Sequence, residues 1–161
     1  MHTAAILTIS DSSYQGKRKD LSGPAIVAEL KSAGFQVVRT AVAPDEQDQI
    51  RQLLTECSGK AQLVVTVGGT GIAARDVTPE ATLAVVDRVV PGIAETMRAQ
   101  GALKTPLAAL SRGICGVRGQ SLILNLPGSP KAAVESLQAV LEILPHALEL
   151  LSGNTSHSQV E

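Results

Sequence analysis

Residues Leu63–Thr82 read LVVTVGGTGIAARDVTPEAT and contain a strand, a glycine-rich loop and the start of a helix. Leu63–Val67 is apolar except for one threonine, and a short apolar run bounded by glycines is typical of a buried strand. Thr78 suits a helix cap, Pro79 the first helical position and Glu80 the first turn. A long loop therefore separates the strand from the helix, and a loop of this length inside a compact domain is usually functional.

The same alternation of apolar runs and helical patterns extends along the rest of the chain. Continuous apolar strands that alternate with helices are typical of a parallel sheet covered on both faces, so the sequence predicts an α/β fold. The other predicted strands are Ala4–Ile9, Gln36–Ala43, Leu107–Leu110 and Ser121–Leu126. The predicted helices are Ser22–Ala33 with Ser22 as its cap, Glu46–Cys57, Pro79–Val86, Ile93–Gln100 and Pro130–Leu151 with a kink expected at Pro145.

Composition limits the classes of function. The chain has 161 residues, 44% of them hydrophobic and 18% charged, with a net charge of -1. These values predict one globular domain over residues 1–151 and a polar tail over residues 152–161. One Tyr, one Phe and no Trp leave few rings for base stacking, so nucleic-acid binding is disfavoured. No signal peptide or membrane span is predicted, and two widely separated cysteines favour buried thiols in a reducing cytoplasm over a disulfide or zinc site.

The glycine-rich loop has two interpretations besides phosphate binding. Gly69–Ala74 fits the dinucleotide pattern GxGxxA, which requires a helix to begin at once so that its N-terminus faces a pyrophosphate. Pro79 would lie well inside such a helix and break it, so a dinucleotide-binding dehydrogenase is disfavoured. The second interpretation is a tight turn without function, which does not account for the charged pair Arg75–Asp76.

Polar residues follow four of the predicted strands directly. Because ligands bind beyond the carboxyl ends of parallel strands, these residues are expected to converge. Asp45 and Asp76 suit a hard cation such as Mg²⁺ held together with substrate phosphates, and the alternative is that each caps a nearby helix. Lys17–Arg18–Lys19 is the only basic run and is typical of a solvated loop. The segments that follow the strands are Ser10–Asp11–Ser12, Pro44–Asp45–Glu46, Gly68–Gly71 with Arg75–Pro79, and Leu126–Lys131.

The histidines and cysteines offer no catalytic pattern. His2 and His157 are terminal, His146 lies in the last predicted helix, and no Ser/His/Asp, Cys/His or HExxH arrangement is present. Covalent nucleophilic catalysis is therefore disfavoured. The expected chemistry is centred on phosphate and depends on positioning and charge neutralisation.

Together these segments resemble the molybdenum-cofactor biosynthesis family, in particular its single-domain molybdopterin adenylyltransferases and the plant and gephyrin G domains. The resemblance implies a molybdopterin-binding domain fold, a three-layer α/β/α sandwich around a mostly parallel mixed sheet. It also implies a homotrimer that binds molybdopterin and ATP with Mg²⁺ and forms adenylylated molybdopterin and pyrophosphate. The motifs that carry it are LTISDS (Leu7–Ser12), SGP (Ser22–Pro24), PDE (Pro44–Glu46), GGTG (Gly68–Gly71), RDVTPEAT (Arg75–Thr82), PG (Pro91–Gly92), LSRGICGVRG (Leu110–Gly119) and LILNLPGSPKA (Leu122–Ala132).

The resemblance also implies roles for individual residues. Asp45 and Asp76 are the implied catalytic pair and the implied Mg²⁺ ligands. The implied nucleotide- or phosphate-binding residues are Gly68, Gly69, Thr70, Gly71, Asn125, Leu126, Pro127, Gly128 and Ser129. The implied molybdopterin contacts are Ser10, Asp11, Ser111 and Arg112.

Three alternatives accompany this interpretation. The first is a non-catalytic molybdopterin-binding or scaffold member of the same family, against which the two aspartates and the whole glycine loop argue. The second is the related molybdate-inserting activity, which is expected in a longer, multidomain chain. The third is a generic nucleotide-binding module, which gives no reason for the LNLPGSP loop. A cytoplasmic location and a transient contact with a molybdate insertase complete the expectations.

Overall fold

A computed structural model describes residues 1–155, and residues 156–161 of the predicted polar tail lie outside the described residues. The fold is a six-stranded sheet with helices packed on both faces. The strands are β1 (Thr3–Ile9), β2 (Gln36–Ala43), β3 (Leu63–Val67), β4 (Arg88–Val89), β5 (Cys115–Arg118) and β6 (Ser121–Leu126). The helices are α1 (Asp11–Tyr14), α2 (Ser22–Ser32), α3 (Gln47–Ser58), α4 (Thr78–Leu83), α5 (Pro91–Ala102), α6 (Pro130–Val140) and α7 (Leu144–Leu151), with a 3₁₀ helix at Pro106–Leu110.

The sheet is mixed and mostly parallel, as predicted. Its strand order is β2-β1-β3-β6-β5-β4. The strands β2, β1, β3 and β6 are parallel, whereas β5 runs antiparallel to β6 and β4 antiparallel to β5. The carboxyl ends of the four parallel strands therefore lie at the same edge of the sheet.

Alternate residues of the central strands form two separate cores, because successive side chains of a strand point to opposite faces. Ile6, Val65 and Leu124 lie in register and pack with α2, α5, α6 and α7. Val64 and Ile123 face the other way and pack with α3 and α4. The three layers that the resemblance implies are therefore present.

The strand predicted at Leu107–Leu110 is wrong, because this segment is the 3₁₀ helix. Thr105 precedes the helix in extended conformation, and its hydroxyl accepts a hydrogen bond from the Leu107 N–H at 3.3 Å. Pro106 suits the first helical position and has no N–H to donate to a strand ladder. Apolar composition alone predicted a strand here, although Leu107 is 69% exposed.

The start of α2 also differs from the prediction. Ser22 lies inside the helix rather than capping it, and its hydroxyl donates a hydrogen bond to the Gly128 carbonyl at 2.6 Å. The Asp20 carboxylate accepts from the Gly23 N–H at 3.0 Å and so takes over the capping function. Ser22 instead ties α2 to the loop that follows β6.

The long helix predicted at Pro130–Leu151 is two helices, because the chain turns at residues 141–143 and Pro145 then occupies the first turn of α7. The antiparallel hairpin of β5 and β6 was not predicted. Cys115–Arg118 is short, and its turn relies on Gly119, whose φ of 57° is unfavourable for other residues. Within residues 1–155, no helix combines the length and the apolar character needed to cross a membrane.

Candidate active site

The structure brings the two predicted aspartates together at the carboxyl edge of the parallel strands. Asp45 follows β2, and Asp76 lies in the loop after β3. Both line a cavity of about 330 Å³, which we call the smaller cavity. Gly68, Gly69 and Ser129 also line it, so that carboxylates, a glycine loop and the start of α6 meet at one place.

Asp45 is held by a reciprocal pair of hydrogen bonds. The Asp11 N–H donates to Asp45 Oδ2 and the Asp45 N–H donates to Asp11 Oδ1, each at 3.0 Å. These bonds join the loops that follow β1 and β2. Burial raises the pKa of the Asp45 carboxyl, and the negative charges of Asp11 and Asp76 add to this effect. No described residue forms a hydrogen bond with Asp45 Oδ1, so this oxygen is available to a ligand.

Asp76 is held in a similar way by the backbone of its own loop. The Ala73 N–H donates to Asp76 Oδ2 at 3.0 Å, and the Asp76 N–H donates to the Ala73 carbonyl at 3.0 Å. Its other oxygen, Oδ1, has no hydrogen-bond partner in the described part of the chain. Neither aspartate caps a helix, since Glu46 and Val77 precede α3 and α4.

The glycine loop requires glycine at its first two positions. Gly68 and Gly69 have φ values of 107° and 68°, in the left-handed region. A Cβ on Gly68 would lie 2.3 Å from the Ile9 carbonyl oxygen, and one on Gly69 would lie 2.3 Å from Thr78 Oγ1. Thr78, predicted as a cap, is instead the first residue of α4, and its hydroxyl donates to the Gly68 carbonyl at 2.9 Å. The loop backbone is thus held close to β1 and α4.

Arg112 braces the loop that carries Asp76. Its Nε donates to the Gly71 carbonyl at 2.8 Å and its Nη2 donates to the Asp76 carbonyl at 2.8 Å. The guanidinium also pairs with Glu80 in α4, which lowers the pKa of that carboxyl. Arg112 lines neither the smaller cavity nor the second cavity that lies beside it. The side chain implied to bind molybdopterin is therefore occupied in fixing the loop.

Arg75 joins the two aspartate loops. Its guanidinium donates two hydrogen bonds to Asp11, at 2.6 and 3.1 Å, and one to Glu46 at 2.8 Å. The hydrogen bond from Arg75 is the main reason that the pKa of the Asp11 carboxyl is lowered. The charged pair Arg75–Asp76 stands out in the sequence, but no role for Arg75 is predicted from it. The implied molybdopterin contact Asp11 already has Arg75 and the Asp45 N–H as partners.

A second cavity, of about 510 Å³, lies beside the first and is called the larger cavity here. Gly128 and Ser129 line both cavities, so a ligand can extend from one into the other. Thr70, Gly71 and Ser111 line only the larger one. Asn125 and Pro127, two of the residues implied to bind phosphate, also line the larger cavity. The rest of its wall comes mostly from residues of α5, the 3₁₀ helix and α6, of which only the start of α6 was predicted at the site. These residues include Ala94, Met97, Arg98, Leu107, Leu110, Ala132 and Ala139.

Two residues implied to bind phosphate lie in the core and position the loop that follows them. Asn125 is 1% exposed, and its amide donates to the hydroxyls of Thr66 and Thr82, each at 3.0 Å. Its Oδ1 accepts from the Ile114 N–H at 3.2 Å. Leu126 is fully buried at the end of β6, and its carbonyl accepts from the Gly68 N–H at 3.0 Å.

The three serines implied in the site all line a cavity. Ser10 caps α1 by accepting from the Ser13 N–H at 3.2 Å and lines the smaller cavity. Ser111 accepts from the Gly113 N–H at 3.3 Å and lines the larger one. Ser129 caps α6. A helix N-terminus carries a partial positive charge, so the start of α6 favours an anion where the cavities meet.

The available metal donors are few. No group of three or more His, Cys, Asp or Glu side chains that could hold a metal is present within residues 1–155. The unpartnered oxygens of Asp45 and Asp76 provide two carboxylates at one cavity. Such a donor set suits Mg²⁺, which usually takes one or two carboxylates together with water and substrate phosphates.

Comparisons with known proteins agree with this geometry. Residues 5–146 match the family model described as a probable molybdopterin binding domain. The molybdopterin adenylyltransferase of Helicobacter pylori strain J99 is 41% identical over 153 residues, which cover 92% of this chain and 87% of that protein. The molybdenum cofactor synthesis protein cinnamon of Drosophila melanogaster is 42% identical over 169 residues, but this chain spans only 28% of its length.

Comparison with solved structures also finds similarity to a molybdopterin biosynthesis protein. The crystal structure of the molybdopterin biosynthesis enzyme MoaB from Thermus thermophilus is 52% identical and superimposes with a TM-score of 0.90. The match covers 95% of this chain and 98% of that one. The family resemblance and the fold that it implied are therefore confirmed. This chain belongs to the family of probable molybdopterin binding domains.

Proposed function

We propose that this protein transfers AMP from ATP to molybdopterin with release of pyrophosphate, and that Mg²⁺ is required. The observation that carries the proposal is that Asp45 and Asp76 line one cavity together with the glycine loop and the start of α6. The name of the similar Helicobacter pylori protein, molybdopterin adenylyltransferase, supports the same reaction.

In the proposed reaction a phosphate oxygen of molybdopterin attacks the α-phosphorus of ATP. A new P–O bond forms, the bond from the α-phosphorus to the bridging oxygen breaks, and pyrophosphate leaves with that electron pair. The nucleophile belongs to the substrate, so the protein needs no nucleophilic side chain. Both cysteines are buried, in agreement with this assignment. The task of the protein is to position the two phosphates and to neutralise their charge.

Asp45 and Asp76 are the residues that would hold Mg²⁺, through the oxygen of each that has no hydrogen-bond partner among residues 1–155. When bound, Mg²⁺ would neutralise charge on the phosphates. The backbone bonds to the other oxygen of each carboxylate keep both side chains oriented in the free protein. The N–H groups of the glycine loop are proposed to contact phosphate, because glycine allows close approach of the backbone.

We assign the phosphates to the smaller cavity and the pterin ring to the larger one. The wall of the larger cavity contains apolar side chains from α5 and the 3₁₀ helix, such as Met97 and Leu107, which suit a flat ring system. Ser111 is the proposed polar contact of the pterin there. Ser10 lies at the smaller cavity and is proposed to contact the phosphate of molybdopterin.

The test is to incubate the purified protein with molybdopterin, ATP and Mg²⁺ and to measure pyrophosphate and adenylylated molybdopterin. We expect Asp45→Asn and Asp76→Asn to lower turnover by about 100-fold or more while molybdopterin still binds. Asp48→Asn is the matched control, because Asp48 is an exposed acid of α3 whose partner is Arg51. Near-normal turnover in both site variants would refute the assignment of the metal ligands. Pterin binding without any pyrophosphate would instead favour the non-catalytic alternative.

The homotrimer, the transient contact with a molybdate insertase and the cytoplasmic location remain predictions. Ile72 and Leu103 are at least two-thirds exposed and offer apolar surface for contact between copies of the chain. Sedimentation velocity tests the trimer directly, and a species with the mass of one chain at micromolar concentration would refute it.

A further inference from the structure

The basic run Lys17–Arg18–Lys19 is an exposed loop, as predicted, but part of it also lies at the site. Arg18 and Lys19 both line the smaller cavity, together with Asp45 and Asp76. Lys17 is not among the residues that line it. Two of the three cations therefore belong to the wall of the cavity that holds the aspartate pair.

The backbone on both sides of these cations is fixed. The N–H groups of Lys17 and Arg18 donate to the Ser12 carbonyl at 2.9 and 3.2 Å, which attaches the run to α1. Beyond Lys19, the Asp20 carboxylate accepts from the Thr8 hydroxyl at 2.7 Å and from the start of α2. The side chains of Arg18 and Lys19 thus project from a segment anchored at both ends.

The charges of Arg18 and Lys19 are not neutralised within the described part of the chain. Neither side chain forms an ion pair or a hydrogen bond there, although both line a cavity with two carboxylates. The other cations near the loops behave differently: Arg75 is bound to Asp11 and Glu46, and Arg112 is bound to Glu80. Arg18 and Lys19 are therefore free to bind an anion.

We propose that Arg18 and Lys19 bind the phosphates of ATP that leave as pyrophosphate. Even with a divalent cation bound, a triphosphate keeps negative charge, and two carboxylate ligands add more. Unpaired cations at the same cavity reduce this excess, and they stabilise the leaving group as its charge increases. The proposal depends on the proposed function only in naming ATP as the source of these phosphates.

The direct test uses Mg²⁺ and inorganic pyrophosphate as the probe and measures binding by titration calorimetry, without any turnover. We expect Arg18→Ala and Lys19→Ala each to weaken binding by about tenfold, the size expected for one charge-assisted contact at an exposed site. Lys17→Ala, from the same run but outside the cavity wall, should bind within about twofold of the wild type. Lys19→Arg should restore most of the affinity, and thermal melts should show that all variants fold.

Two further measurements distinguish the possible sources of phosphate. The KM for ATP should rise in Arg18→Ala and Lys19→Ala, whereas the Kd for molybdopterin should stay within about twofold. Loss of molybdopterin affinity with unchanged pyrophosphate binding would overturn the proposal in favour of the pterin phosphate. An equal loss in Lys17→Ala would overturn it in favour of general surface charge. If the wild type binds pyrophosphate through these residues but forms no adenylylated pterin, only the proposed function fails.

Discussion

Replacing Gly68 by Ala tests whether the close approach of the glycine loop to β1 is required. The Cβ of the new residue would lie 2.3 Å from the Ile9 carbonyl oxygen and 3.3 Å from its carbon. The backbone cannot easily relieve this overlap, because the Gly68 N–H is bound to the Leu126 carbonyl and the Gly68 carbonyl is bound to Thr78. We therefore expect the substitution to destabilise the fold and to displace the loop that carries Asp76.

The loss in the free energy of unfolding caused by Gly68→Ala has two contributions. A side chain in the left-handed region costs about 1–2 kcal/mol. Forcing an extra carbon into a packed position costs about 1–3 kcal/mol more. The free energy of unfolding should therefore fall by roughly 2–5 kcal/mol, which for a chain of this length lowers Tm by about 4–20 °C.

The control variant Gly34→Ala separates the cost of the left-handed backbone conformation from the cost of steric overlap. Gly34 has a φ of 88°, and a Cβ added to it meets nothing within 4 Å. It should therefore show only the conformational cost of about 1–2 kcal/mol. Urea unfolding followed by circular dichroism gives both free energies. Equal destabilisation in Gly68→Ala and Gly34→Ala would refute the argument from close approach.

The hydrogen bonds and the pKa shifts at and near the site lead to three further predictions. Arg112→Gln loses the hydrogen bonds to two loop carbonyls and the ion pair with Glu80, so the free energy of unfolding should fall by about 1.5–3 kcal/mol. Because the loop that carries Asp76 is then held less firmly, turnover should need a higher Mg²⁺ concentration. Unchanged urea unfolding and an unchanged Mg²⁺ dependence of turnover would contradict this prediction. Burial raises the pKa of Asp45, so its ionisation above that pKa costs stability. The Tm of Asp45→Asn minus the Tm of the wild type should therefore increase as pH rises from about 3 to about 7. A Tm difference that decreases over this pH range would contradict the prediction. Burial raises the pKa of the Cys115 thiol to about 12 and also raises that of the Cys57 thiol. Both thiols should therefore react with Ellman's reagent at about pH 8 only after the protein unfolds. Rapid labelling of the folded protein would disprove this prediction.

The elements that could be predicted from sequence are those with a local pattern. The apolar run Leu63–Val67 predicts a buried strand, and the alternation of such strands with helices predicts a parallel sheet. From that topology alone, the loops containing Asp45 and Asp76 were expected at one edge. The structure shows them at one cavity, because the direction of parallel strands determines where their ends lie.

The functional details that could not be predicted depend on partners distant in sequence. Arg112 bonds to Gly71, 41 positions away, and Asn125 bonds to Thr66, 59 positions away. A residue type indicates which groups a side chain can bind, but not which partner the fold brings to it. The resemblance implied ligand contacts for Arg112 and Asn125, and their hydrogen bonds to the protein itself could not be predicted from it. For the same reason, the sequence of the basic run Lys17–Lys19 does not indicate that Arg18 and Lys19 line a cavity.

The cations around the site differ in what they are available to do. Arg75 and Arg112 are already paired with carboxylates and hold the loops of the two aspartates, so using either to bind a substrate would mean breaking an ion pair and releasing a loop. Binding a phosphate through an unpaired cation carries no such cost. A protein that binds a polyphosphate next to two carboxylates therefore needs separate cations for structure and for ligand. Arg18 and Lys19 are the residues at the smaller cavity that meet the second requirement.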